Sequence, residues 1–233
     1  MQISPYKLLR TLHAWGGVTL ALLFMVISLT GTLLVWKTSY LKLVLPQARV
    51  EFVPTPETLS VIGAAIDAQF DPAKVFGVNF ASESLPLTLL TLDDEEYAYL
   101  DTAGNIVAQW HGNERFEEWV FDLHHRLLLD DLGLTIVGFA AMAMVVLLFA
   151  GVVAFWPARK GWRLGVVPRD ASRLQLLKTH RNIGIVLAAP LLLSLLTGIL
   201  LTFPDEAEDL LLDSMRSSEE YSLAMEVNLD DIV

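Results

Sequence analysis

The chain has 233 residues, of which 54% are hydrophobic, and it carries a formal net charge of −11 and no cysteine. The lack of cysteine excludes disulfides, thiolate metal sites, covalent c-type haem attachment and cysteine-ligated iron–sulfur clusters. Most of the acid follows the first and third apolar blocks, and the basic residues cluster beside the apolar blocks. A nucleic-acid partner is therefore not expected.

Three apolar blocks each exceed the roughly 20 residues that cross a ~30 Å hydrocarbon core. We therefore predict an integral membrane protein, mainly α-helical, with three transmembrane helices. A cleaved signal peptide is the alternative for the first block, but that block is long and no small-x-small cleavage site follows Trp36. The predicted segments are the N-terminus 1–13, helix 14–36, connection 37–131, helix 132–156, loop 157–181, helix 182–203 and tail 204–233.

Basic residues predict the orientation of the spans. Lys7 and Arg10 precede the first span, and the loop 157–181 holds seven arginines and lysines against one acid, Asp170. Cytoplasmic loops carry an excess of Lys and Arg, so we expect the N-terminus and this loop to be cytoplasmic. The long connection and the acidic tail are then expected outside.

The long connection between the first two spans predicts a small α+β domain. Pro56, Glu57 and Thr58 start a helical pattern, and two later stretches alternate as strands do. A turn-rich segment between two further strands predicts a hairpin. The predicted strands are 75–79, 87–92, 96–100 and 106–108. The acidic run 93–96 is more typical of a solvated loop than of a cation site.

The first and third spans match without a gap. Because both start on the same side, the repeat is parallel, and His13 and His180 are expected at the same depth. Two apolar helices share Leu by chance, but they rarely share a His, two Gly and a Thr at the same offsets. The matched pairs are His13/His180, Gly17/Gly184, Leu20/Leu187, Ala21/Ala188, Leu29/Leu196, Thr30/Thr197, Gly31/Gly198, Leu33/Leu200 and Leu34/Leu201.

The repeated histidines are candidate haem-iron ligands. Neutral imidazole binds haem iron, and His13 and His180 on facing helices could hold one iron from both sides. The alternative is an interfacial histidine that caps a helix or bonds a headgroup, but such a role needs no matched glycines. Around this pair we expect Gly17 and Gly184 to leave room for the macrocycle, Arg10, Lys178 and Arg181 to pair with propionates, and Gly31 and Gly198 to permit close helix packing.

Further histidines precede the second span. His124 and His125 point about 100° apart on a helix, so they cannot both be axial ligands of one iron. One of them is a candidate ligand and the other a hydrogen-bond or propionate partner. His111 is a weaker candidate because it lies in a loop. One haem b is therefore expected, with a second near the outer face as the alternative.

Short motifs resemble the PepSY-associated transmembrane helix family. Residues 12–17, Leu-His-Ala-Trp-Gly-Gly, resemble the family's Leu-His-x-Trp-x-Gly opening of the first helix. Residues 122–129 are similar to its second-helix start and 180–184 to its third, while 99–107 look like the hairpin of a PepSY-type domain. The resemblance implies proteins of the bacterial inner membrane, with the outer domain and tail periplasmic. Some family members are haem reductases that carry electrons to ferric siderophores.

The function expected on this resemblance is a b-type haem protein that moves electrons from a donor to a periplasmic ferric-siderophore acceptor. It would be an oxidoreductase or an electron-transfer subunit. The alternative is a non-enzymatic accessory subunit whose PepSY-like domain contacts a periplasmic partner. A transporter is a weaker alternative, because the spans hold no Asp, Glu, Lys or Arg.

Membrane lipid surrounds the helices in any of these cases. Family members commonly carry a fourth span, so a homodimer or a partner membrane subunit is expected to complete the bundle. In the tail, residues 210–212 and Met215 predict a short amphipathic helix, with disorder as the alternative.

Overall fold

The computed structural model describes residues 4–210, 212 and 213. Its three long helices are α1 (Pro5–Val35), α5 (Asp130–Phe155) and α6 (Arg173–Thr202). Each is long and apolar enough to cross a membrane, and a four-stranded antiparallel sheet lies between α1 and α5 in the sequence. The predicted fold class, three membrane helices with a small α+β region between the first and second, is confirmed.

The helices start earlier than the predicted spans. Residues 5–13 belong to α1 and residues 173–181 to α6, because basic residues bound the apolar window without ending the helix. In the tail, residues 204–210 are helical. Leu211 and Met215, which the predicted amphipathic helix includes, lie outside the described residues.

The chain forms two compact units, and the first comprises Met1–Leu22 and Leu129–Val233. In it the start of α1 runs antiparallel to α5. The Tyr6 hydroxyl donates a hydrogen bond to the Ala154 carbonyl, 2.8 Å away, and Gly16 lies against Leu147. A Cβ at Gly16 would lie 3.0 Å from Leu147 Cδ2, so the glycine leaves room for the leucine side chain.

The second unit, Leu23–Leu128, contains the end of α1 and the α+β region. Its elements are α2 (Lys37–Val44), α3 (Pro56–Gln69), β1 (Val75–Asn79), β2 (Thr88–Leu92), β3 (Glu96–Leu100), β4 (Ile106–His111) and α4 (Phe116–Arg126). The four strands form one sheet in the order β1-β2-β3-β4, with every neighbouring pair antiparallel.

Alternation along the strands gives this sheet two apolar faces. On one face, Ile62 and Ile66 of α3 pack against Leu90 and Leu100. On the other, Leu41 of α2 belongs to a second buried cluster of Leu41, Ala48, Leu87, Tyr99 and Trp110. The region thus has a core on each side of its sheet, although each core is small.

The backbone conformation of the β3–β4 turn requires a glycine at position 104. Its φ is +84°, and a Cβ there would run into the Cβ of Ala65 in α3. We expect Gly104→Ala to destabilise the second unit by more than about 1 kcal/mol, because the positive φ and the collision add. Thermal unfolding followed by circular dichroism measures this.

Gly112→Ala is the matched control for Gly104→Ala. Gly112 has a φ of +51°, but a Cβ there would meet only Glu95 Oε2, at 3.5 Å. It should therefore show the backbone effect without the collision. Equal midpoints for the two variants would contradict a role for the Ala65 contact.

Candidate functional site

His13 is half-buried on α1 and is hydrogen-bonded to α5. Its Nδ1 lies 2.9 Å from the Leu147 carbonyl oxygen. Since a carbonyl only accepts, Nδ1 is the donor in this hydrogen bond, and Nε2 is the ring nitrogen left to act as a ligand. Within the described residues Nε2 has no hydrogen-bond partner, so it is available as a ligand atom.

Gly151 makes room for this histidine. It lies one turn after Leu147, and a Cβ there would come within 2.9 Å of His13 Cε1. Any side chain at this position would push the ring away from the carbonyl. The glycine and the carbonyl therefore act together to place the ring.

His180 lies beside His13, as the repeat predicts for equivalent positions. The two ring centroids are 6.2 Å apart and the ring planes are tilted by 54°. Among the described contacts, neither nitrogen of His180 has a hydrogen-bond partner. Two imidazoles from α1 and α6 thus approach each other, each with a free ring nitrogen.

The structure describes two glycines and two arginines among the other residues predicted around this pair. A Cβ added at Gly17 or Gly184 would meet nothing within 4 Å. Arg10 lies over the Tyr6 ring, with Cζ 5.9 Å from its centroid, and the Arg181 guanidinium contacts Asn182 Oδ1 at 3.4 Å. Within the described part of the chain, neither arginine forms an ion pair with a carboxylate.

His124 in the second unit is hydrogen-bonded in the same manner. Its Nδ1 lies 2.9 Å from the Ile27 carbonyl and 3.1 Å from Thr30 Oγ1, both on α1. A Cβ at Gly31 would come within 2.9 Å of His124 Cε1. At Gly31, which we expect to permit close helix packing, the absent side chain leaves room for the His124 imidazole of α4.

His125 and His111 lie apart from these arrangements. His125 stacks on Phe121, with ring centroids 5.4 Å apart. Burial lowers the pKa of His125, and the neighbouring Arg126 and His124 lower it further, against an opposing effect of Asp122. His111 is exposed at the end of β4, and its backbone N–H donates to Glu114 Oε2.

No larger metal site is present in residues 4–210, 212 and 213. No three His, Cys, Asp or Glu side chains come together there as a possible metal cluster. The donor sets to consider are therefore single imidazoles and the pair of His13 and His180.

Asn182 holds the basic loop against α6. It is 5% exposed, and its Oδ1 accepts a hydrogen bond from Trp162 Nε1 at 2.9 Å. Its Nδ2 donates to the carbonyls of Gly165 and Arg163, at 2.8 and 3.2 Å. The buried amide of Asn182, two residues after His180, thus attaches the basic loop to α6. We call this set of hydrogen bonds the Asn182 clamp.

Removing this amide should release the loop. We expect Asn182→Ala to weaken the attachment by about 1–3 kcal/mol, since Trp162 Nε1 and two carbonyls lose their partners. Tryptic cleavage after Arg163 in detergent-solubilised protein should then become about tenfold faster. Asn113→Ala, which removes an exposed contact to Asp122, is the control, and equal rates for both variants would contradict the clamp.

Comparison with known protein families tests the family membership that the sequence motifs predict. The model of the PepSY-associated TM region matches residues 10–226. The chain belongs to this family. No curated protein and no solved structure matches the chain.

The matched PepSY-associated region contains His13, His124 and His180, and also three features that sequence reasoning did not find. These are the Leu147 carbonyl, Gly151 and the Asn182 clamp. Every residue has a backbone carbonyl, so the sequence does not indicate that the Leu147 carbonyl is an acceptor. Glycine in an apolar helix can serve packing or flexibility as well as making room for a ring, so Gly151 alone does not indicate its role. A lone Asn at the start of an apolar span was the one available signal.

Proposed function

We propose that this PepSY-associated protein is a b-type haem protein of the bacterial inner membrane that passes electrons across it. The observation that carries the proposal is the close pair of His13 and His180, whose ring centroids are 6.2 Å apart. The family match supports a membrane protein of this kind. The cofactor and the electron transfer are our inference from the histidines.

The spacing of the pair fits one iron between two imidazoles. The ring centroids are 6.2 Å apart, which is close enough for both imidazoles to reach a single metal ion. His13 and His180 would be the residues that hold the haem iron.

The hydrogen bond of His13 fits the same role. Metal-bound histidines generally donate their other N–H to a carbonyl or carboxylate, which fixes the ring and raises the basicity of the ligand nitrogen. The Leu147 carbonyl is such an acceptor, and Gly151 provides the space for the ring. His13 is thus prepared to bind through Nε2.

Nearby basic residues and two glycines also suit a bound haem. Arg10 and Arg181 carry no carboxylate partner in the described residues, so both can pair with propionates. Lys178, two residues before His180, is exposed and can do the same. Gly17 and Gly184 leave open space one turn from each histidine. The residues present therefore suit haem b.

Bound haem supplies a one-electron couple between ferric and ferrous iron. His13 and His180 would hold the iron, and the Leu147 carbonyl would tune one of these two ligands. The basic loop 157–181 supports a cytoplasmic location for this side of the membrane under the positive-inside rule. Electrons would arrive from a cytoplasmic or quinol donor and leave toward ferric siderophore iron in the periplasm.

An absorption spectrum tests the proposal. Protein purified from haem-replete cells should show a Soret band and, after dithionite reduction, separate α and β bands. Pyridine-haemochrome analysis should give one haem b per chain, or two if His124 also ligates iron. A colourless preparation that is folded by circular dichroism would contradict the proposal.

A further inference from the structure

The segment that follows α5 holds Arg159 against a tryptophan. A short 3-10 helix, Trp156–Gly161, ends the apolar run of α5. The Arg159 guanidinium lies over the Trp156 ring, with Cζ 4.4 Å from the centroid, and its Nη1 donates to the Trp156 carbonyl at 2.7 Å. Tryptophan is enriched where membrane helices meet the lipid headgroups. Arg159 is thus fixed at such a position, and because a guanidinium has several N–H donors it keeps some for a further acceptor.

The Asn182 clamp places the next arginine beside an exposed apolar stretch. Asn182 Nδ2 donates to the backbone carbonyls of Arg163 and Gly165, so the clamp does not use the side chains there. The residues between Arg163 and Arg169 read Leu-Gly-Val-Val-Pro. A membrane interface suits this order, because it takes the charges at the headgroups and the aliphatic groups at the acyl boundary. The exposed apolar side chains are Leu164, Val166 and Val167.

The charges of the basic loop, residues 157–181, are not neutralised within the described chain. In residues 4–210, 212 and 213, no arginine or lysine of the loop forms an ion pair with a carboxylate. The one acid of the loop, Asp170, accepts a hydrogen bond from the Ser172 backbone N–H at 2.8 Å. A cluster of cations is therefore free to pair with anions from outside the described chain. Those that are exposed and have no part in the proposed haem site are Arg159, Lys160, Arg163, Arg169 and Arg173.

The bilayer is the surface that meets this loop. Both α5 and α6 are long and apolar enough to cross a membrane, and the loop joins the end of one to the start of the other. It therefore lies at one membrane face, whichever face that is, next to the phosphates of the lipid headgroups. Charge complementarity then favours anionic phospholipids over zwitterionic ones. An acidic protein is the competing partner, but it would match the charges and not the aliphatic side chains between them.

We propose that residues 156–173 form a binding surface for the headgroups of anionic phospholipids such as phosphatidylglycerol. Arg159, Arg163 and Arg169 pair with headgroup phosphates, since one guanidinium can donate two parallel hydrogen bonds to a phosphate. Val166 and Val167 enter the boundary of the acyl chains. This interaction requires neither haem nor the histidines.

Enrichment of lipid around the loop tests the proposal in the full chain. The chain has no cysteine, so Val167→Cys carries a single fluorophore in phosphatidylcholine nanodiscs. A small fraction of the lipid carries a doxyl quencher near its headgroup, on phosphatidylglycerol in one sample and on phosphatidylcholine in the other. The ratio of the two quenching constants gives the relative affinity of the loop for the anionic lipid. No haem is added.

We expect phosphatidylglycerol to be enriched at least about fivefold, the factor for one basic side chain near an anionic surface. The double variant Arg159→Gln and Arg163→Gln should remove most of this enrichment, whereas Arg159→Lys with Arg163→Lys keeps both charges and should retain it. Lys42→Gln with Lys74→Gln removes the same charge from the second unit and should also retain it. Salt should weaken the enrichment, since the Debye length falls from about 10 Å at 0.1 M to about 3 Å at 1 M.

Equal quenching by the two lipids would overturn the proposal and leave an acidic protein as the partner of the loop. An enrichment that persists in the glutamine variant, folded by circular dichroism, would overturn it as well. Glycerol phosphate in millimolar solution should leave the enrichment unchanged, and reversal would mean that the loop binds the free headgroup and not the membrane surface. Since the assay contains no haem, its failure would leave the proposed haem function standing.

Discussion

His13→Ala should lower the haem content of the purified protein at least tenfold, because it removes one of the two imidazoles that would hold the iron, the one fixed by the Leu147 carbonyl. His180→Ala should have a similar effect, since its ring is the partner 6.2 Å away. The measurement is the ratio of Soret to protein absorbance, with pyridine-haemochrome quantification. Electron transfer to a ferric chelate in proteoliposomes should fall in proportion.

His111→Ala is the control, because His111 is exposed at the end of β4. It should retain the full haem content and electron transfer. If both His13→Ala and His180→Ala retained haem, the ligands would have to be other residues. If the variants lost haem but kept function in cells, the alternative of an accessory binding subunit would be favoured instead.

Sequence reasoning could predict the fold because its signals depend on residue type. The lengths of the apolar runs predict α1, α5 and α6, and alternation with turn residues predicts the sheet. The starts of α1 and α6 were less predictable, because lack of charge marks the membrane-buried stretch and not the helix. Lys7 and Arg10 lie within α1 although they bound its apolar run.

The candidate site was predictable in part for a similar reason. The repeat relates His13 to His180, and the structure brings these rings together. What faces each ring depends on how the helices are rotated against each other, which the pattern of a uniformly apolar helix does not reveal. The Leu147 carbonyl follows from that rotation. Asn182 likewise bonds backbone carbonyls of a loop that has no recognisable motif.

Gly151 and Gly31 lie beside the two hydrogen-bonded histidines, His13 and His124. Substitutions at these glycines test whether the hydrogen bond from Nδ1 supports haem binding. In Gly151→Ala the new Cβ would lie 2.9 Å from His13 Cε1, so the ring must leave the Leu147 carbonyl. Loss of such a supporting hydrogen bond typically costs tenfold to 100-fold in metal affinity. We expect haem to transfer to apomyoglobin faster by that factor, as followed by the Soret band.

Gly31→Ala is matched to Gly151→Ala in geometry, because its Cβ would lie equally close to His124 Cε1. If His13 and His180 hold the only haem, Gly31→Ala should release it at the wild-type rate. If His124 ligates a second haem, half of the total haem should be released faster in each variant. Equal, unchanged rates in both variants would show that the hydrogen bond from Nδ1 does not control how firmly haem is held.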